Sequence, residues 1–327
     1  MVRLTYLAGD SSQPTFSPDG KKIAFVQESI DGSMKLWVMN ADGSGLENVT
    51  RDISSINVFS WSPSEGSNKI AHDQLTDGKW SVDIAQVEGR GNAVVNTLSC
   101  SNYCFDPSWS PNGEELVYVS AVQSHASQGE SYNLTVGNLA TGKTFQILND
   151  ASSVKMPRFS DDGSNILFLQ AETSVSDSSA GSSKTLWDLF ISPAIPNGTS
   201  RNLLQGTFAC PYGQAWTPQI SEGSFSPKPN NATEFLFSGS TLNGIEDLYL
   251  VNYNASFSET LPSGSIEEPC VIEVDRLTNL AYSSVNGFGW SLDSAKIVYA
   301  AVTNGTDFSH IFVMTYVVVK QPSPYGP

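Results

Sequence analysis

Short runs dense in apolar residues recur along the chain, each bounded by turn formers. Lys22-Ile23-Ala24-Phe25-Val26, Glu115-Leu116-Val117-Tyr118-Val119, Asn165-Ile166-Leu167-Phe168-Leu169 and Lys296-Ile297-Val298-Tyr299-Ala300 are of this kind. Their length and their β-branched and aromatic content predict strands. Ahead of these runs stands an aromatic followed by serine: Phe16-Ser17, Trp61-Ser62, Trp109-Ser110, Phe159-Ser160, Phe225-Ser226 and Trp290-Ser291. The six copies lie about 45 to 66 residues apart. Between aromatic and run come Pro18-Asp19-Gly20, Pro111-Asn112-Gly113 or Asp161-Asp162-Gly163. Proline presets φ, Asp or Asn accepts local hydrogen bonds and glycine supplies positive φ, so each copy opens with a β-hairpin. A third strand follows, as in Lys35-Leu36-Trp37-Val38-Met39, Thr185-Leu186-Trp187-Asp188-Leu189-Phe190 and Asp247-Leu248-Tyr249-Leu250-Val251. Turns such as Asp42-Gly43-Ser44-Gly45 and Thr141-Gly142-Lys143 then lead to a fourth.

Six repeats of four antiparallel strands predict an all-β, six-bladed β-propeller. The recurring aromatic belongs on the innermost strand of each blade, wedged against its neighbour, which is a packing role rather than a ligand cage. A propeller must join its first and last blades or leave two bare sheet edges. The sixth copy supplies only three strands, while Val2-Arg3-Leu4-Thr5-Tyr6-Leu7 resembles the end of the fifth copy, Val274-Asp275-Arg276-Leu277-Thr278-Asn279-Leu280. The N-terminal strand is therefore expected to close the ring, which puts Met1 near the start of the domain. One propeller over residues 1–319 is expected, with blades starting near 14, 58, 107, 157, 223 and 288 and residues 2–7 completing the last; a Pro-rich tail fills 320–327.

The string Pro14-Thr15-Phe16-Ser17-Pro18-Asp19-Gly20-Lys21-Lys22-Ile23-Ala24-Phe25, followed by Leu36-Trp37-Val38-Met39-Asn40-Ala41-Asp42-Gly43, resembles the TolB-like propeller repeat. The pattern extends, more degenerate, over nearly the whole chain. The resemblance implies the six-bladed fold. It leaves function open, because such repeats occur in translocation proteins, in peptidase propeller domains and in other exported proteins.

Composition narrows the partners. Charged residues are 15% of the chain, against about 25% in typical globular proteins. The formal net charge of −16 offers no clustered Lys and Arg for counterion release, which excludes nucleic acid. No run of 18 apolar residues occurs, so no membrane-inserting helix is encoded, and Met1-Val2-Arg3 does not open a signal peptide. The polar, weakly charged composition and four cysteines suit an extracellular or otherwise exported protein. Cys100 with Cys104 closes a small loop between blades two and three, leaving Cys210 with Cys270 as the second pair; free thiols are the alternative. Sequons at Asn48, Asn133, Asn197, Asn231, Asn254 and Asn304 make N-glycosylation possible.

Catalytic signals are absent. His72, placed on a strand, and His125 and His310, near loops, share no motif, no G-x-S-x-G elbow occurs, and Asp161-Asp162-Gly163 aligns with a hairpin turn rather than a calcium loop. No catalytic, cofactor or metal residues are assigned. Three long connections, 123–129, 174–183 and 206–223, would elaborate one face across blades three to five, and the last carries Phe208, Tyr212 and Trp216. In the tail, Pro322, Pro324 and Tyr325 are expected in an extended segment with no strand left to make in the ring, which either docks on a neighbouring copy or folds back on its own blade. The expected function is that of a non-catalytic structural or protein-interaction module that self-associates through this tail. A glycan- or small-molecule-binding propeller, or a metal-dependent hydrolase or lyase, are the alternatives.

Overall fold

Every aromatic-serine copy nucleates a separate antiparallel sheet, and six such four-stranded sheets form the blades of a β-propeller. The computed structural model describes residues 2–50, 55–64, 68–87, 93–98, 100, 102–122, 131–151, 153–171, 175–176, 183–184, 187–203, 219–229, 231, 234–240, 246–254, 270–278, 285–302 and 308–316. From the inner strand outward, blade 1 is Ser11–Phe16, Lys22–Glu28, Met34–Asn40 and Glu47–Asn48, and blade 2 is Phe59–Trp61, Lys69–Thr76, Lys79–Gln86 and Ala93–Thr97. Blade 3 is Cys104–Trp109, Glu115–Val122, Ser131–Asn138 and Thr144–Ala151; blade 4 is Val154–Phe159, Asn165–Ala171, Trp187–Pro193 and Arg201–Asn202. Blade 5 is Gln219–Pro227, Glu234–Ser240, Glu246–Asn254 and Cys270–Arg276. Blade 6 runs Val285–Trp290, Lys296–Val302 and Ser309–Thr315, and its outer strand is Val2–Arg3 from the N-terminus.

In blades 1, 3, 4 and 6 the serine after the aromatic has a specific task at the inner hairpin. Its hydroxyl donates to the Asp or Asn two residues on: Ser17 to Asp19 at 2.7 Å, Ser110 to Asn112 at 2.7 Å, Ser160 to Asp162 at 2.6 Å and Ser291 to Asp293 at 2.5 Å. The same oxygen accepts the N–H of Lys22, Glu115, Asn165 or Lys296 across the turn at 2.9–3.0 Å. Asp161-Asp162-Gly163 is thus a hairpin turn, with Asp162 also accepting the Ser164 N–H.

A second repeated device sits at the outer strand. Thr50, Thr278 and Thr5 each accept, through Oγ1 at 2.9 Å, a backbone N–H of the third strand, from Leu36, Leu248 and Ile311. Arg3-Leu4-Thr5 and Arg276-Leu277-Thr278 therefore occupy the same place in blades 6 and 5. Val2 pairs with Val313 and Arg3 with Phe312, and Leu4 donates to the Ile311 carbonyl at 2.8 Å, so the N-terminal strand closes the ring.

The apolar interior is divided into six clusters, each shared by two consecutive blades. Phe16, Trp61, Trp109, Phe159 and Trp290 are all buried, and each packs with residues of the preceding blade. Phe225 occupies the matching place on the inner strand of blade 5, its side chain outside the described residues. Burying one such aromatic stabilises the fold by roughly 2–3 kcal/mol, so the blades hold each other through these wedges.

Candidate functional site

The inner strands carry a feature that the hydrophobic pattern does not reveal. In blades 1, 3, 4 and 6 the pairing slips between Ser12 and Thr15, Phe105 and Ser108, Lys155 and Arg158, and Val285 and Phe288. The bulged residue has a left-handed backbone: Gln13 at φ 52°, Asp106 at 55°, Met156 at 55° and Gly287 at 100°. For a residue with a side chain this conformation costs on the order of 1–3 kcal/mol, and it persists only where surrounding contacts enforce it.

Those contacts run to the next blade. Gln13 of blade 1 donates its side-chain amide to the Asn57 carbonyl at 2.7 Å. Asp73, on the second strand of blade 2 and fully buried, accepts the N–H groups of Asn57 at 2.9 Å and Val58 at 2.7 Å through one oxygen. Its other oxygen accepts the N–H of Asp106, in blade 3, at 3.2 Å. Asp106 in turn accepts the N–H of Met156, in blade 4, at 2.8 Å. Gly287 lies so close to Gln13 that a Cβ on it would stand 2.5 Å from the Gln13 Cα, which ties blade 6 to blade 1.

Asp73 and Asp106 are two buried carboxyls of neighbouring blades, linked through the Asp106 N–H. Burial, reinforced by the charge of Asp106, pushes Asp73 up to about 7. Burial also raises Asp106, against the opposing pull of the Met156 N–H and of the Arg158 and Lys155 charges. Lys155 meanwhile rests 4.0 Å over the Trp187 ring, and Arg158 donates to the Pro157 carbonyl at 2.8 Å. Buried carboxyls with raised proton affinity are raw material for acid–base chemistry. Here three backbone amides saturate Asp73, and the pair lies inside the wall of the ring.

On the opposite side of blade 2, His72 stands directly across from Asp83 in the sheet. His72 is fully buried, and burial depresses its affinity for a proton. One oxygen of Asp83 accepts the Gln74 amide at 2.5 Å, whereas His72 Nε2 and the other Asp83 oxygen have no protein partner, a setting that suits a bridging water. His310 is the second residue of the strand Ser309–Thr315, where it meets the Arg3 guanidinium at 2.8 Å. Among the described residues no group of three or more His, Cys, Asp or Glu converges as a metal site.

The residues singled out from sequence scatter widely. Cys100 and Cys104 are disulfide-bonded, with Cα atoms 6.1 Å apart. Cys210 lies outside the described residues, as does the side chain of Cys270. Asn197 is exposed at the outer turn of blade 4; Asn48 and Asn231 are half-buried near turns, and Asn133 is half-buried within a strand. The side chain of Asn254 and the whole of Asn304 are outside the description, as are His125, Phe208, Tyr212, Trp216, Pro322, Pro324 and Tyr325. Of the three long connections, 123–129 is outside it, 174–183 is described only at Val175–Ser176 and Ser183–Lys184, which make a small hairpin, and 206–223 only from Gln219 onward, as the inner strand of blade 5.

No family model matches the chain. In sequence it is 25% identical over 176 residues to the Tol-Pal system protein TolB of Francisella tularensis, a match that covers 53% of this chain and 38% of that protein. It is 30% identical over 128 residues to an uncharacterized protein of Agrobacterium fabrum, covering 36% of this chain and 42% of that one. A solved propeller assigned to TolB of Agrobacterium tumefaciens superposes over 96% of this chain and 93% of its own, with TM-score 0.57 and 14% identity. The chain is a TolB-like six-bladed β-propeller. The matched segments span less than half the length of these curated relatives. The same fold is shared with the oligogalacturonate lyase of Vibrio parahaemolyticus, at TM-score 0.56 and 10% identity over 95% of this chain and 92% of that one, so the TolB-like architecture alone does not select a function.

Proposed function

We propose that this TolB-like propeller is an exported, non-catalytic protein-interaction module that serves as a glycosylated subunit of an extracellular assembly or filament. The observation that carries the reading is the use made of the buried carboxylates. Asp73 and Asp106 bind backbone amides of their own and neighbouring blades, so the groups best placed for acid–base work are spent on holding the ring. Function then belongs to the surface. Self-association through the tail, residues 320–327, supplies the assembly.

The test is size-exclusion chromatography with negative-stain microscopy on material from the native source, with mass spectrometry before and after enzymatic deglycosylation. The reading expects particles larger than one 35.2 kDa chain and a mass loss at exposed Asn197. Unglycosylated single rings would contradict it. The fold shared with a lyase favours one rival reading, a lyase acting on uronate oligosaccharides. Accumulation of unsaturated product from oligogalacturonate, with or without manganese, would establish that rival.

A further inference from the structure

Strand direction sorts the ring's connections onto two faces. Second-to-third-strand hairpins and blade-to-blade crossings emerge on one face; inner and outer hairpins emerge on the other. On the first face, three exposed apolar side chains lie on the connections of blades 6 and 1. Ile30, at the hairpin between Lys22–Glu28 and Met34–Asn40, is 87% exposed; Tyr6, in the crossing into blade 1, is 76% exposed; Phe308, just before Ser309–Thr315, is 37% exposed.

Asp10 bonds to both of the connections that carry Ile30 and Phe308. Its carbonyl accepts the Glu28 N–H at 2.8 Å, two residues from Ile30, and its side chain accepts the Ser309 N–H at 2.7 Å, one residue from Phe308. Tyr6 stands four residues before it. The Tyr6 ring rests on the Arg3 guanidinium, 4.4 Å from the centroid, and its high exposure leaves an aromatic surface open to solvent. Glu28 and Asp31, both exposed, add acidic charge beside the patch, and Lys35 near Asp31 joins Arg3 as a local cation.

The last described strand leaves on the opposite face. Tyr316 donates its N–H to the Ala295 carbonyl in the inner hairpin, packs edge-on against Trp290 at 5.2 Å, and has Lys228 of blade 5 at 5.2 Å from its ring. The chain is thus pinned toward the inner strands as it departs, and the outer edge of its own strand is already taken by Val2–Arg3. Beyond this point come Val317-Val318-Val319-Lys320-Gln321-Pro322-Ser323-Pro324-Tyr325-Gly326-Pro327, apolar and proline-rich with one cation. Proline-rich extended segments dock on aromatic surfaces with little loss of entropy.

We propose that the Tyr6, Ile30 and Phe308 patch is the receptor for residues 317–327 of a second copy, with Lys320 facing Glu28 and Asp31. This rests on the self-association reading and names its contact. A tail leaving one face and a receptor on the other make the contact heterologous, so it propagates along a line rather than closing into a symmetric pair. Because each copy carries a formal charge of −16, added salt weakens the repulsion between rings more than it weakens one Lys320 pairing.

The experiment is mass photometry of the full chain across concentration and salt, with the variants Ile30→Asp and Phe308→Ala and with a synthetic peptide of residues 317–327 as competitor. Both positions are on the surface, and circular dichroism checks that the variants keep wild-type β content. The proposal expects concentration-dependent oligomers that strengthen with salt, at least a tenfold weakening by Ile30→Asp and dissolution by excess peptide. Oligomers unchanged by both variants and by the peptide would overturn the patch while leaving self-association standing. Single rings at every concentration and salt would overturn both.

Discussion

A carboxylate oxygen of Asp73, in blade 2, accepts the backbone N–H of Asp106, in blade 3, at 3.2 Å, and the Asp106 carboxylate passes the same service to Met156 in blade 4 at 2.8 Å. The acidic side chain of one blade thus organises the left-handed bulge of the next, and three blades are bound in series. Apolar wedges hold neighbouring blades together without fixing register; these directional bonds fix it.

Asp73 makes stability depend on pH. Its carboxyl titrates near 7 in the folded chain against 3.8 for the ordinary group. Between those values the folded state holds more protons than the unfolded one, so stability falls as pH rises from about 4 to 7, by on the order of a few kcal/mol. Asp19, Asp42 and Asp293 have the opposite sign, because hydrogen bonds from Ser17, Ser44 and Ser291 lower them, and their contribution is lost below about pH 4. Urea titrations across pH should place maximal stability on the mildly acid side, and Asp73→Asn should flatten the slope between pH 5 and 7. An unchanged slope in the variant would assign it elsewhere.

Gly287→Ala should be among the most damaging single-methyl changes in the protein. The added Cβ would meet the Gln13 backbone at 2.5 and 2.6 Å, at a φ of 100° that a side chain rarely adopts. A loss of roughly 3 kcal/mol or more is expected. Gly20→Ala has a comparable backbone, φ 68°, with nothing within 4 Å of the new atom, and should cost only about 1 kcal/mol. Thermal melts of the two variants decide whether close approach or backbone conformation dominates.

Ser160→Ala removes a hydroxyl that donates to Asp162 at 2.6 Å and accepts the Asn165 N–H at 3.0 Å in a nearly buried turn. Leaving that N–H unpaired should cost about 1–3 kcal/mol. Ser33→Ala, which removes a hydroxyl that donates to Asp31 in an exposed turn, should stay within about 0.5 kcal/mol. Equal midpoints in denaturant would remove the special role of the repeated serine.

The repeat and its closure were legible because they are local. Phe16-Ser17 and its five counterparts mark each hairpin, and Arg3-Leu4-Thr5 reads as Arg276-Leu277-Thr278 because both supply the same threonine acceptor to a third strand. The inter-blade ties were not legible for the opposite reason. Asp73 and Asp106 are 33 residues apart, Asp106 and Met156 are 50 apart, and the bulge position is filled by Gln13, Asp106, Met156 or Gly287 with no shared chemistry. One signal was present. Gln13-Pro14, Asp106-Pro107 and Met156-Pro157 each place a proline two residues before the aromatic, marking where the strand bulges. Tyr6, Ile30 and Phe308 are likewise scattered along the chain, and only the ring closure brings them to one face.

Engagement of Asp73 and Asp106 by the backbone, as inter-blade ties, separates a structural role for these carboxyls from a catalytic one. Amide hydrogen exchange at Val58, Asp106 and Met156, followed by NMR, tests this most directly. These amides should exchange as slowly as strand-interior amides such as Val117 and Leu167, and Asp73→Ala should speed exchange at Val58 and Asp106 first. Rapid exchange at all three in the wild-type chain would mean that the carboxylates are free for other work, contradicting the structural role on which the non-catalytic reading rests.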